Sequence, residues 1–290
     1  MEFGDEGQSL ARLTRAAEAA RDCGFAALSA NDHFFFQTPW LDGPTALAAV
    51  VDRSGSMELA TTVALVSLRG PVPLAKALVA LDVLSEGRVV AGVGPGSSER
   101  DYAAAGVPYE ERWKRFEEAA GALGELLRGD SPLEPGPRRS GGVPLWLASW
   151  GSKAGLRRVA RLGDGWFASA YNTTPEAFEA ARATLAHELE ARGRDPGGFP
   201  NALVTMWTWI TPDARDAERV LRDVLAPLLK RDVEVLRDQL CVGSAEQCAE
   251  LLSRYARAGC ERVHLWPLGE EARQIELAAS AVLPAIEPAG

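Results

Sequence analysis

Arg88-Val89-Val90-Ala91-Gly92-Val93 runs directly into Gly94-Pro95-Gly96-Ser97-Ser98. From Val89 to Val93 the run is apolar without alternation, as a strand buried on both faces must be, and such strands belong to parallel sheets covered by helices on both sides. The glycines and serines that follow are compact and polar. In parallel α/β folds function collects at this end of a strand.

Working outward, the segment Pro71 to Leu84 before this strand has the length and apolar content of a helix, Glu58 to Leu65 reads as a strand, and Pro44 to Arg53 as a helix. Farther back, Leu10 to Cys23 places Leu10, Leu13, Ala16, Ala17 and Ala20 on one helical face with Gly24 as a stop. Phe25 to Ala30 is then a strand ending at the polar turn Asn31-Asp32-His33. On the other side come helix Glu111 to Leu127, a Pro/Gly-rich loop from Gly129 to Gly142, strand Val143 to Ala148, helix Ser152 to Leu162, strand Gly165 to Ala168 and helix Pro175 to Arg192. Strand Ala202 to Ile210, a helical region from Asp213 to Leu240, helix Ala245 to Ala258, strand Arg262 to Trp266 and helix Glu270 to Leu283 complete the chain.

Seven strands are counted in this way, with Met1-Glu2-Phe3 as a candidate, abbreviated first one. Eight βα units in one chain of 290 residues predict a single-domain TIM (β/α)8 barrel over residues 1–290. An open doubly wound sheet, the runner-up, has fewer units.

Composition narrows the function classes. The 40 acidic residues outnumber the 31 basic ones, for a net charge of -9, which disfavours a nucleic-acid coat or an anionic-membrane binder. No apolar run reaches the ~18–20 residues of a membrane span, and Met1–Glu6 lacks the basic start and apolar stretch of a signal peptide, so a soluble cytoplasmic protein is expected. The four cysteines, Cys23, Cys241, Cys248 and Cys260, are too scattered for a disulfide framework. No Cys-x-x-Cys or His-x-x-x-His pair supports a metal site, and none is expected.

The predicted strand ends are polar, aromatic or Gly-rich: Asn31-Asp32-His33, Thr61-Thr62, Gly94–Ser98, Ser149-Trp150-Gly151-Ser152, Ser169-Ala170-Tyr171-Asn172, and the Trp207, Trp209 and Trp266 group. Small residues leave room for a flat ligand, hydroxyls bond its edge and tryptophans wall it. Gly92-Val93-Gly94-Pro95-Gly96 lacks the G-x-G-x-x-G spacing of a dinucleotide fingerprint, so a Rossmann site is weakly supported.

Asp32-His33-Phe34 with Pro39-Trp40 resembles the DHF…PW segment of the luciferase-like monooxygenase superfamily, and especially its branch using the deazaflavin coenzyme F420. The resemblance continues through Leu81-Asp82-Val83-Leu84-Ser85-Glu86-Gly87-Arg88 and Gly92-Val93-Gly94-Pro95-Gly96. It returns in Gly106-Val107-Pro108, Gly163-Asp164-Gly165-Trp166, Val242-Gly243-Ser244 and Val263-His264-Leu265-Trp266-Pro267. It implies a bacterial luciferase-like barrel and an oxidoreductase moving hydride between F420 and a small organic substrate.

On that resemblance His33 is the candidate acid/base, since an imidazole takes or gives a proton near neutral pH. A loop hydrogen bond is the plainer alternative for His33. Asp32, Thr61, Thr62, Val63, Gly94, Gly96 and Ser97 are expected at the cofactor ring, with Thr62-Val63 aligned to a non-prolyl cis peptide of the family. Ser149, Trp150, Gly151, Ser152 and Lys153 form a helix start suited to a cofactor phosphate, against Ser152 as a simple N-cap. Arg69, Arg157 and Arg158 are additional anion candidates. Phe34, Trp40 and Tyr171 are expected in the substrate pocket, while Trp166 and Trp266 read as core.

Relatives that oxidise a sugar phosphate carry Glu where Ser97 stands, which argues against that substrate. FMN is the alternative cofactor, with monooxygenase chemistry, and a flavin-binding protein without turnover is the rival of another class. A metal-dependent barrel isomerase lacks ligands. The resemblance also admits a homodimer.

Overall fold

The computed structural model describes residues 10–36 and 40–287. Met1-Glu2-Phe3 and Pro39 lie outside the described residues.

The chain alternates strand and helix, and its strands all run parallel. Helix α1 (Leu10–Asp22) leads into β1 (Ala27–Ala30), then α2 (Gly43–Ala48), β2 (Glu58–Thr61), α3 (Val66–Arg69) and α4 (Pro71–Leu84). Strand β3 (Val89–Val93) is followed by α5 (Glu99–Ala104) and α6 (Arg112–Leu126), β4 (Leu145–Ala148) by α7 (Lys153–Leu162), and β5 (Gly165–Ser169) by α8 (Pro175–Glu190). Strand β6 (Asn201–Ile210) precedes α9 (Ala214–Arg219), α10 (Ala226–Leu229) and α11 (Val233–Gln239); β7 (Cys241–Gly243) precedes α12 (Ala245–Arg257), and β8 (Val263–Pro267) precedes α13 (Glu271–Leu277).

Strands β1 to β6 pair in chain order. The ten-residue β6 then carries two further neighbours, β8 along Leu203 to Thr208 and β7 along Thr208 to Ile210. The result is a curled parallel sheet wrapped by helices, the expected (β/α)8 class in an incompletely closed form. Among the described residues no strand joins β1 to β8, and both line one cavity of about 580 Å³. The helices outside this seam are tied together, since Arg12 on α1 and Glu271 on α13 form a two-pronged ion pair.

Burial on both faces explains why the core strands lack alternation. Leu59, Val89, Ala91, Val93, Trp166 and Ala168 pack outward against the helices, while Ala60, Val90, Trp146, Phe167, Ala202 and Val204 fill the inside of the curl. Gly92 also lies where no side chain fits. A Cβ there would stand 2.0 Å from the Thr61 carbonyl oxygen and 2.5 Å from the Phe167 ring.

Several boundaries differ from expectation. The strand expected over Glu58 to Leu65 ends at Thr61, because the Thr62–Val63 peptide is cis and the Leu65 N–H turns to the Asp32 carboxylate. The helix expected over Pro44 to Arg53 divides into α2 and a 3₁₀ turn, Val51–Arg53. The region Asp213 to Leu240 is broken by a π-helical turn, Val220–Leu225, and by Lys230 in the left-handed conformation at φ 53°. Strand β7 and helix α5 were not anticipated; each is too short to show a period.

Candidate active site

The turn after β1 is built around two buried carboxylates. Asp32, 1% exposed, accepts from the Leu65 N–H at 3.1 Å and from the Arg69 guanidinium at 2.6 and 2.5 Å. Arg69 also pairs with Asp42, which caps α2 through the Thr45 N–H. The hydrogen bond to Asp32 raises the Arg69 pKa, so both partners are spent inside the protein. Asp32 therefore anchors the turn to α3, and Arg69 is occupied.

His33 follows. Its Nδ1 lies 2.9 Å from Asp101 Oδ2, and the other oxygen of Asp101 accepts the Phe35 N–H at 2.7 Å. The imidazole stacks on Phe36 with centroids 4.8 Å apart, and Trp40 tilts against it at 6.4 Å. Trp40 in turn meets Trp207 at 6.3 Å and Trp266 at 5.8 Å, so the ends of β1, β6 and β8 share one aromatic wall. Trp266 thus lines a cavity, whereas Trp166 is core, as expected, at 1% exposure. Phe34 is exposed beside the Arg69 guanidinium. Tyr171 sits at the end of β5, four strands along, where burial raises its phenol pKa.

The ends of β2, β3 and β4 form a second group. The Thr61 hydroxyl donates to the Gly92 carbonyl and accepts the Gly92 N–H, at 2.7 and 3.0 Å, and so stitches β2 to β3. The Thr62 hydroxyl is different: it is buried and has no partner. A buried hydroxyl without a partner is costly unless something else bonds it. Across from it a Cβ on Gly94 would come within 2.7 Å of Val63 Cγ2 and 3.4 Å of the Ala148 Cβ, so only glycine leaves this surface open. Gly96 turns the chain at φ 76°. The Ser97 carbonyl then accepts the Tyr109 hydroxyl, and Ser98 caps the helix that carries Asp101.

At the third group Ser149 Oγ accepts the Gly151 N–H at 3.3 Å, Gly151 turns at φ 92°, and Ser152 caps the ten-residue α7 through the Gly155 N–H. Trp150 and Lys153 are exposed there. Arg158 pairs with Glu117 at 3.0 Å and Arg157 with Glu188 at 3.6 Å, so both are engaged by carboxylates of the helical layer.

Two contributors escaped sequence reasoning. Asp101 lies 68 positions from His33, and no spacing rule links them. Thr205 adopts φ 61° at an irregularity in β6 and bonds Ser169 Oγ and the Ala170 N–H, which fixes the end of β5. Among the described residues no group of three or more metal-ligating side chains occurs, and no helix is long and apolar enough to cross a membrane.

An unpartnered hydroxyl, a glycine surface and an imidazole with an aromatic wall, all at strand C-termini, fit a flat heteroaromatic cofactor beside a small substrate. The chain is 29% identical over 167 residues to the phthiodiolone/phenolphthiodiolone dimycocerosates ketoreductase of Mycobacterium sp. (strain JLS), covering 51% of this chain and 42% of that protein. In general it spans about half the length of the first curated relatives it matches. Its fold resembles that of an F420-dependent secondary alcohol dehydrogenase solved with an F420-acetone adduct, at TM-score 0.83 and 17% identity over 96% of this chain and 95% of the other. It also resembles the monooxygenase RslO1 of Streptomyces bottropensis, at TM-score 0.82 and 20% identity over 97% and 96%. The family model for luciferase-like monooxygenases matches residues 2–262, and the chain belongs to that family.

Proposed function

We propose that this chain is an F420-dependent oxidoreductase that moves hydride between the deazaflavin and the carbinol or carbonyl carbon of a small organic substrate. The observation that carries this reading is His33: its Nδ1 is held by Asp101, and its ring is clamped by Phe36 and Trp40 at the end of β1. An imidazole bound through one nitrogen presents the other as a proton acceptor or donor. A relative that is a ketoreductase, and a similarly folded secondary alcohol dehydrogenase that uses F420, support the reaction class.

In this reading Thr62, Val63, Gly94, Gly96 and Ser97 receive the cofactor ring, and the Thr62 hydroxyl bonds its edge. The start of α7, with Ser149, Gly151 and Lys153, receives a phosphate at the helix N-terminus. When bound there, F420 would supply the hydride acceptor or donor. This chain holds the substrate oxygen near His33, excludes water with Trp40, Trp207 and Trp266, and moves the proton. FMN with monooxygenase chemistry is the competing reading, and a sequence relative that is a monooxygenase supports that reaction class.

The test is turnover of F420 with a panel of secondary alcohols and ketones by the wild type and by His33→Ala. A positioned general acid/base contributes ~10²–10⁴-fold, so His33→Ala should lose at least about 100-fold in kcat while cofactor affinity changes less than about threefold. Full turnover by the variant would remove His33 from the chemistry.

A further inference from the structure

We propose that Asp101 is the positioning residue of this site: it fixes His33 in the Nδ1–H tautomer, which turns the Nε2 lone pair toward the substrate oxygen. The inference rests on the oxidoreductase reading above for its consequence, but on geometry alone for its substance.

Asp101 belongs to α5, which starts only after the glycine loop that follows β3, and it reaches back across the strand ends to the turn after β1. Its side chain is 2% exposed and makes two contacts to that turn, one to His33 Nδ1 and one to the Phe35 N–H. A carboxylate accepts and cannot donate, so a neutral imidazole facing it must carry its proton on Nδ1. The Phe35 contact holds the acceptor oxygens in place, and Arg100 from the same helix lies over the Phe35 ring at 5.0 Å. The acid, the turn and the helix are therefore tied together by three contacts.

The consequence is a division of labour. In alcohol oxidation the O–H proton passes to His33 Nε2, the C–H electron pair leaves as hydride to the deazaflavin, and the C=O bond forms from the O–H electrons. The imidazolium produced lies against the Asp101 carboxylate, which stabilises it. In ketone reduction the same groups act in reverse, with Nε2–H donating to the oxygen as hydride arrives at carbon. Asp101 acts through the His33 ring and the Phe35 N–H that it holds.

The decisive experiment is a long-range proton–nitrogen NMR correlation of histidine-labelled protein. With three histidines in the chain, His33 is identified by its loss in His33→Gln. The wild type is expected to show neutral His33 as the Nδ1–H tautomer, and Asp101→Asn, whose amide can donate, should lower the Nδ1–H to Nε2–H ratio at least tenfold. Turnover of Asp101→Asn should fall at least tenfold in kcat with unchanged F420 affinity, and Asp101→Glu should recover part of it. An Nε2–H tautomer in the wild type, or a ratio unmoved by Asp101→Asn, overturns the inference, and the wild-type measurement decides even where the variant fails to fold. A His33→Ala enzyme with full turnover would instead sink the oxidoreductase role of His33, leaving the tautomer result to stand separately.

Discussion

His264 lies on β8 at 8% exposure, edge-on to Phe167, and burial with the Arg262 charge nearby pushes its imidazole down to about 4. The unfolded chain titrates this group near 6.5. Between those values the unfolded state binds a proton that the folded state refuses, so the stabilisation is complete above about pH 6.5 and is lost as pH falls toward 4. Denaturation at a series of pH values should show stability falling by up to about 3 kcal/mol over that window, and His264→Leu should flatten the slope. Gly92→Ala makes a second residue-scale prediction. Its Cβ would meet backbone at 2.0 Å, which cannot yield as a side chain tip does, so the variant should lose about 3 kcal/mol or more in urea unfolding. His33 stands out in sequence as a histidine at a strand end among polar neighbours, but only the family resemblance made it the acid/base candidate. Asp101 was not legible, because nothing local marks a partner fixed only when β1 and β3 come to flank β2 in the sheet.

At the scale of elements the two edges of the curl behave differently from its middle. In β1 the bonds from Glu58 N–H to Ala26 and from Thr62 N–H to Ala30 show that alternate residues face β2, which turns the backbone of Ala27 and Ser29 toward the seam. Residues of β1 and most of β8 are half-buried, whereas every residue of β3 and β5 is buried. Amide exchange at Ser29 should therefore be at least about 100-fold faster than at Ala91, and equal protection would show that the seam is covered. The outer clamp has its own test: removing one partner of the half-buried Arg12–Glu271 pair by Glu271→Ala should cost about 1–3 kcal/mol. Helix Pro71–Leu84 was read to the residue, since Pro71 suits a first turn and the apolar run is long. Strand β7, three residues long, and the end of β2 at a cis peptide have no periodic signature.

For the whole molecule, the alternation of strands and helices was enough to give the parallel (β/α) class, but not the pairing of β8 directly with β6. That pairing depends on the ten-residue length of β6, which offers one stretch to β8 and another to β7, and length of this kind is visible only once strands are in register. The net charge of -9 is compatible with an anionic cofactor, because binding is governed by local donors at strand and helix ends and not by the total. The central claim, that these strand ends form a deazaflavin site, is tested most directly by titrating the purified protein with oxidised F420 and, separately, with FMN, following quenching of its tryptophan fluorescence. Saturable binding of F420, at least about tenfold tighter than FMN and weakened by Thr62→Val, is the predicted result; tight FMN binding with no response to F420 would contradict it.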